Sequence, residues 1–157
     1  MKTRLAHFPV RFFLLSALVV FAAACAGPGT PKPHKLQLEI KATADVNPDI
    51  DNRPSPVILH VLELSAVDEF LKADFFALTS DDASALGGDV LNKTELILTP
   101  GSSKSMSLDL KPDTSYVGFV AGYRDIDNAR WRVAEEVARG ESSQMNVEIG
   151  NKQITVN

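Results

Sequence analysis

Few residues in this chain have the type and spacing that catalysis or metal binding requires. It holds three histidines and one cysteine. His7 lies in an apolar leader, His34 in a proline-rich stretch, and only His60 falls where a folded element is expected. A structural zinc site takes four Cys or His ligands at short spacings. Two histidines and a distant cysteine do not supply one. A Ser-His-Asp triad is assembled in three dimensions, so linear order leaves it open. Yet no serine stands in a G-x-S-x-G turn, and His60 is the single candidate base of the folded part. Asp45, Asn47, Asp49 and Asp51 begin like a calcium loop, but Ile50 replaces the glycine an EF-hand needs at its sixth position and Pro56 the glutamate at its twelfth. Gly87-Gly88 lacks the Lys-Ser/Thr of a P-loop, and no dinucleotide fingerprint occurs. The sequence therefore assigns no catalytic, cofactor-binding or metal-binding residue.

Cys25 has a different context. Residues 1–24 carry Lys2, Arg4 and Arg11, no acid, and the run FFLLSALVVFAAA over 12–24, which is the pattern of a signal peptide. A run of thirteen is shorter than the about 20 apolar residues of a spanning helix. Ala22-Ala23-Ala24-Cys25 resembles the bacterial lipobox, with Ala22 where a large aliphatic residue is usual. That resemblance implies an N-acyl diacylglycerol cysteine at Cys25, and Ala26 after it implies the outer membrane. The same alanines also suit ordinary signal peptidase. GPGTPKPH over 27–34 reads as a tether, so residues 25–34 are expected to hold a domain, 35–157, away from the membrane.

Removing the leader lowers Lys plus Arg from 16 to 13 against 20 acids, taking the net charge from −4 to about −7. That balance disfavours nucleic acid and anionic lipid as direct partners. The remaining 133 of the 157 residues suffice for one domain.

The elements of that domain are mostly strands. KLQLEIKATADV (35–46) alternates strictly, and VILHVLEL (57–64) is apolar on both faces. The intervening NPDIDNRPSP (47–56) has three prolines and reads as a stiffened loop. Ser65 and Asp68 suggest a capping box before one helix over Ala66–Leu78, with Val67, Phe70, Leu71, Phe75 and Leu78 on its apolar side and Asp68 paired to Lys72. Phe70, Phe75 and Phe76 are expected to dock it, and Trp131 is read as a core residue between solvated arginines. The helical insertion spans about 65–93. Further strands are expected at 94–99, 105–110, 115–124, 130–137, 145–149 and 153–156, with Val117, Phe119 and Ala121 facing opposite to Gly118 and Val120. About eight strands without intervening helices predict an all-β, two-sheet β-sandwich with a small inserted helical segment.

NPDIDNRPSPV (47–57), LSAVDEFLKADFFAL (64–78), ALGGDVL (85–91), TELILTPG (94–101) and YVGFVAGYRDIDNARWRV (116–133) together resemble one family, the TssJ outer-membrane lipoproteins of the type VI secretion system. The resemblance covers nearly all of the chain after the leader. It implies a transthyretin-like sandwich with no enzymatic activity, anchored in the outer membrane and facing the periplasm. It implies binding to the periplasmic C-terminal domain of TssM within a TssJ–TssL–TssM complex, with no small-molecule substrate. The family contact lies in the loop between the first two strands, here Asn47, Pro48, Asp49, Ile50, Asp51, Asn52, Arg53, Pro54, Ser55 and Pro56. Asp49, Asp51 and Arg53 would then offer charges to the partner. Two other classes stay open on the residues alone: a lipid-tethered periplasmic sandwich that binds a small ligand, a metal or another envelope protein, and a soluble transthyretin-like hydrolase built around His60.

Overall fold

The computed structural model describes residues 34–80, 88–138 and 141–157. The expected leader, Cys25 and nearly all of the tether lie outside the described residues.

Among the described residues, eight strands form two four-stranded sheets. In chain order they are β1 (His34–Ala42), β2 (Val57–Leu64), β3 (Val90–Leu98), β4 (Ser103–Leu110), β5 (Tyr116–Ala121), β6 (Arg132–Glu136), β7 (Ser143–Ile149) and β8 (Ile154–Val156). One sheet runs β4-β1-β7-β8 and the other β3-β2-β5-β6. Within the first, β1 pairs antiparallel with β4 and parallel with β7. Alternation in β1 sends Leu36, Leu38, Ile40 and Ala42 inward against Leu59, Val61, Val117, Phe119 and Ala121 of the facing sheet. The two-sheet sandwich expected from the pattern is the fold observed.

The strand β2 is apolar on both faces because its sheet is covered on both. Helices α1 (Asp68–Lys72) and α2 (Phe75–Thr79) lie over the outer face, where Leu62, Leu64, Phe70, Leu78 and Val120 form a second buried cluster. Gly118 makes room for this layer: a Cβ there would stand 2.7 Å from the Phe70 ring. Burying Phe70 in that slot contributes about 1.5–3 kcal/mol.

Two short helices replace the single expected one. Ala73 and Asp74 are extended, and Asp74 caps α2 by accepting a 2.8 Å hydrogen bond from the Ala77 N–H. Aspartate favours that position because its carboxylate satisfies an orphan amide of the first turn. At the other side of the break, Arg132 Nη1 donates to the carbonyls of Phe70 and Ala73, at 3.0 and 2.6 Å. A side chain from β6 thus takes over carbonyls that a continuous helix would have used. The expected capping box does not form: Val67 is the N-cap, without a side-chain bond, and Ser65 Oγ donates to Asp89 Oδ1 at 3.0 Å. Lys72 pairs with Glu69 at 3.1 Å rather than with Asp68. Leu71 and Phe76 are exposed, so the docking face is narrower than the period suggested.

Further expectations change: β3 begins at Val90 rather than Thr94, inside the insertion expected over about 65–93, and β5 ends at Ala121 rather than Arg124. His34 belongs to β1, paired with Leu110 and buried, rather than to the tether. The strand β1 ends at Ala42 instead of Val46, because the Val46 N–H bonds the Thr43 carbonyl in a turn that still inserts Val46 into the core. Trp131 packs against both clusters, but Arg132 is committed rather than solvated, its guanidinium 4.8 Å from the indole centroid. Buried Glu63 accepts from Asn92 Nδ2, Thr114 Oγ1 and the Lys111 N–H, fastening the end of β2 to β3 and to the turn before β5. Among the described residues no helix is long and apolar enough to cross a membrane.

Candidate docking site

The Asn47–Pro56 loop is folded around two of its own polar side chains. Asn47 is buried and adopts φ 49°, in the left-handed region that asparagine tolerates better than most residues. Its Nδ2 donates to the Pro56 carbonyl at 2.7 Å, and its Oδ1 accepts the Arg124 N–H at 2.8 Å. Its own N–H donates to the Asn151 carbonyl at 3.1 Å. One residue therefore ties the loop's exit to the turn after β5 and to the turn between β7 and β8.

Asp49 organises the tip. Its Oδ1 accepts the N–H groups of Asp51 and Arg53, both at 2.9 Å, and its Oδ2 accepts Arg53 Nε at 2.8 Å. Arg53 Nη2 also bridges to Asp49 and Asp51, at 2.8 and 3.0 Å. These bonds, led by the Arg53 amide, hold the Asp49 carboxyl below the ordinary carboxylate range. The Asp49 N–H returns to the Arg53 carbonyl and the Asn52 N–H to the Asp49 carbonyl, closing a small hairpin with Asn52 at φ 60°. The charges expected to face a partner are thus largely spent on one another. What the hairpin offers outward is Ile50, 98% exposed at its tip. Pro54 and Pro56 are exposed along the return and Ser55 is half-buried, its N–H bonded to the Val46 carbonyl.

A second wall faces the loop. Pro48, Asp49, Ile50, Asn52 and Arg53 line one side of an open groove of about 790 Å³, and Arg124, Asp125 and Lys152 line the other. Lys152 donates to Asp125 Oδ2 at 2.6 Å and Asn128 to its Oδ1 at 2.8 Å, and the lysine bond is the main cause of that carboxyl's depressed pKa. An isolated bridge between Arg130 and Gln153 links the segments before β6 and β8, which brings Lys152 to this end of the sandwich. These three residues were missed from sequence. They lie 71 or more positions after Arg53, and no local pattern announces contact across that interval.

His60 lies on β2 opposite Glu95 of β3, with Nδ1 3.7 Å from Glu95 Oε2, outside the groove. Among the described residues no three His, Cys, Asp or Glu side chains come together to hold a metal ion.

A sandwich that projects a braced loop with an apolar tip has the build of an interaction module. The chain belongs to the type VI secretion lipoprotein family: the family model described as "Type VI secretion lipoprotein, VasD, EvfM, TssJ, VC_A0113" matches residues 34–152. It is 33% identical to the T6SS lipoprotein TssJ1 from Pseudomonas aeruginosa, with TM-score 0.77 over 80% of this chain and 95% of that one. Serratia marcescens Lip, described as a membrane-bound component of the type VI secretion system, is 27% identical, with TM-score 0.73 over 80% and 96%. A chain in a structure described as the T6SS protein TssM C-terminal domain from EAEC shares the fold at 22% identity, with TM-score 0.67 over 78% and 97%. No curated protein matches the chain by sequence.

Proposed function

We propose that this lipoprotein is anchored in the outer membrane through acylated Cys25, faces the periplasm, and binds the periplasmic C-terminal domain of TssM within a TssJ–TssL–TssM complex. Its role is structural rather than enzymatic, and the docking element is the Asn47–Pro56 loop. The observation that carries this reading is the loop's own architecture: Ile50 is 98% exposed on a hairpin closed by Asp49 and Arg53. A pre-folded loop loses little conformational entropy on docking, so the burial of its apolar tip converts more fully into affinity. The occurrence of this fold in a structure described by the TssM C-terminal domain is consistent with that partner. Pull-down of the cognate TssM domain by the detergent-extracted chain tests the reading. Ile50→Asp is expected to abolish capture while circular dichroism stays that of the wild type. Undiminished capture would refute the loop as the docking element.

A further inference from the structure

The groove beside the loop has a charge pattern that selects its occupant. Two of its three cations are already committed within the chain: Arg53 to Asp49 and Asp51, and Lys152 to Asp125. Arg124 is exposed, and among the described residues its guanidinium has no hydrogen-bond or ion-pair partner. The backbone of Arg124 is held in place, because its N–H is bonded to Asn47 Oδ1 at 2.8 Å. The same asparagine that supports the loop therefore anchors the Arg124 backbone beside it. Arg53 and Lys152 are balanced by Asp49, Asp51 and Asp125, which leaves Arg124 as the one cation on the groove's walls, among the described residues, without a carboxylate beside it.

We propose that Arg124 is a specificity-determining contact: it receives a carboxylate from an acidic segment of the protein partner that packs against Ile50. This rests on the docking reading above and adds to it the chemistry that the partner must present. An exposed guanidinium with a planar fork of donors suits a bidentate carboxylate, which the groove itself does not supply to Arg124. Aligned on Arg124, that segment brings its apolar neighbours over Ile50. The uncompensated guanidinium also disfavours a basic side chain at that point, which would meet a like charge.

The test uses the detergent-extracted chain and the TssM C-terminal domain, with dissociation constants measured at low and high sodium chloride. Arg124→Gln should weaken binding about tenfold or more at low salt, in the range of a charge-assisted hydrogen bond. Its salt dependence should be flatter than that of the wild type, so that the two converge at high salt. Arg124→Lys should retain most of the salt dependence with lower affinity, since it keeps the charge and loses the fork. If Ile50→Asp abolishes binding while Arg124→Gln binds like the wild type at both salts, or more tightly, Arg124 is no contact and the docking reading stands. If the wild type itself does not bind, both fall.

Discussion

Asn47 is the residue on which the loop's geometry depends most, and its contribution divides into two parts. Its side chain makes hydrogen bonds of 2.7 and 2.8 Å to the Pro56 carbonyl and the Arg124 N–H. At a net ~0.5–1.5 kcal/mol each, these amount to about 1–3 kcal/mol. Its φ of 49° adds a conformational preference that alanine lacks, worth about 1–2 kcal/mol. Asn47→Ala should therefore destabilise the domain by about 2–5 kcal/mol, and Asn47→Gly, which accepts the backbone angle, by about 1–3 kcal/mol. Asn47→Asp keeps the acceptor for the Arg124 N–H but sets an oxygen against the Pro56 carbonyl, so it should fall between wild type and alanine. Urea titration gives each value from the midpoint and slope, and a change of 1 kcal/mol corresponds to roughly 3–5 °C in melting temperature for a domain of this size. Binding should decline more than stability in all three, because the loop's base loosens before the sandwich opens. Alanine and glycine variants both within about 0.5 kcal/mol of wild type would refute the assignment of Asn47 as the brace.

Gly118→Ala places a Cβ 2.7 Å from the Phe70 ring, and overpacking of that kind costs about 1–3 kcal/mol; a melting temperature equal to wild type would contradict the close approach. The carboxyls of Asp49 and Asp125 are both lowered from the ordinary value of 3.8. Their stabilising bonds are complete above that unfolded value and are lost as pH falls through the lower folded values. Carboxyl-carbon NMR titration should place both midpoints below 3.8, and a midpoint at or above it for either would show that its bonds are absent in solution. Cys25→Ser should leave a chain that mass spectrometry finds unacylated and that fractionates away from the outer membrane; an unchanged distribution would remove the proposed anchor.

The strands were legible because their alternation is strict where one face is buried. In β5 the expected opposition holds: Val117, Phe119 and Ala121 enter the inner core, while Val120 joins the outer cluster and Gly118 receives Phe70. The doubly apolar β2 was equally readable, since only a covered outer face explains it. The helical break was not, because the donor that replaces the missing turn is Arg132, about 60 residues downstream of the carbonyls it caps. The loop was located from its prolines and its family resemblance, yet its internal order rests on Asp49 and Asn47, whose partners are set by three-dimensional closure. Asp49, Asp51 and Arg53 read as free charges in sequence and form a closed set in the fold. The far wall, Arg124, Asp125 and Lys152, arrives through sheet topology alone.

We propose above that the Asn47–Pro56 loop docks the lipoprotein to TssM. The measurement that bears on it most directly is calorimetric titration of the chain against the periplasmic C-terminal domain of TssM, alongside a variant in which the loop is shortened between Pro48 and Pro54. A saturable isotherm for the wild type, absent in a variant that still gives the β-sheet circular dichroism and cooperative melting of the parent, is the predicted result. Equal isotherms for the two proteins, or no heat from either, would contradict it.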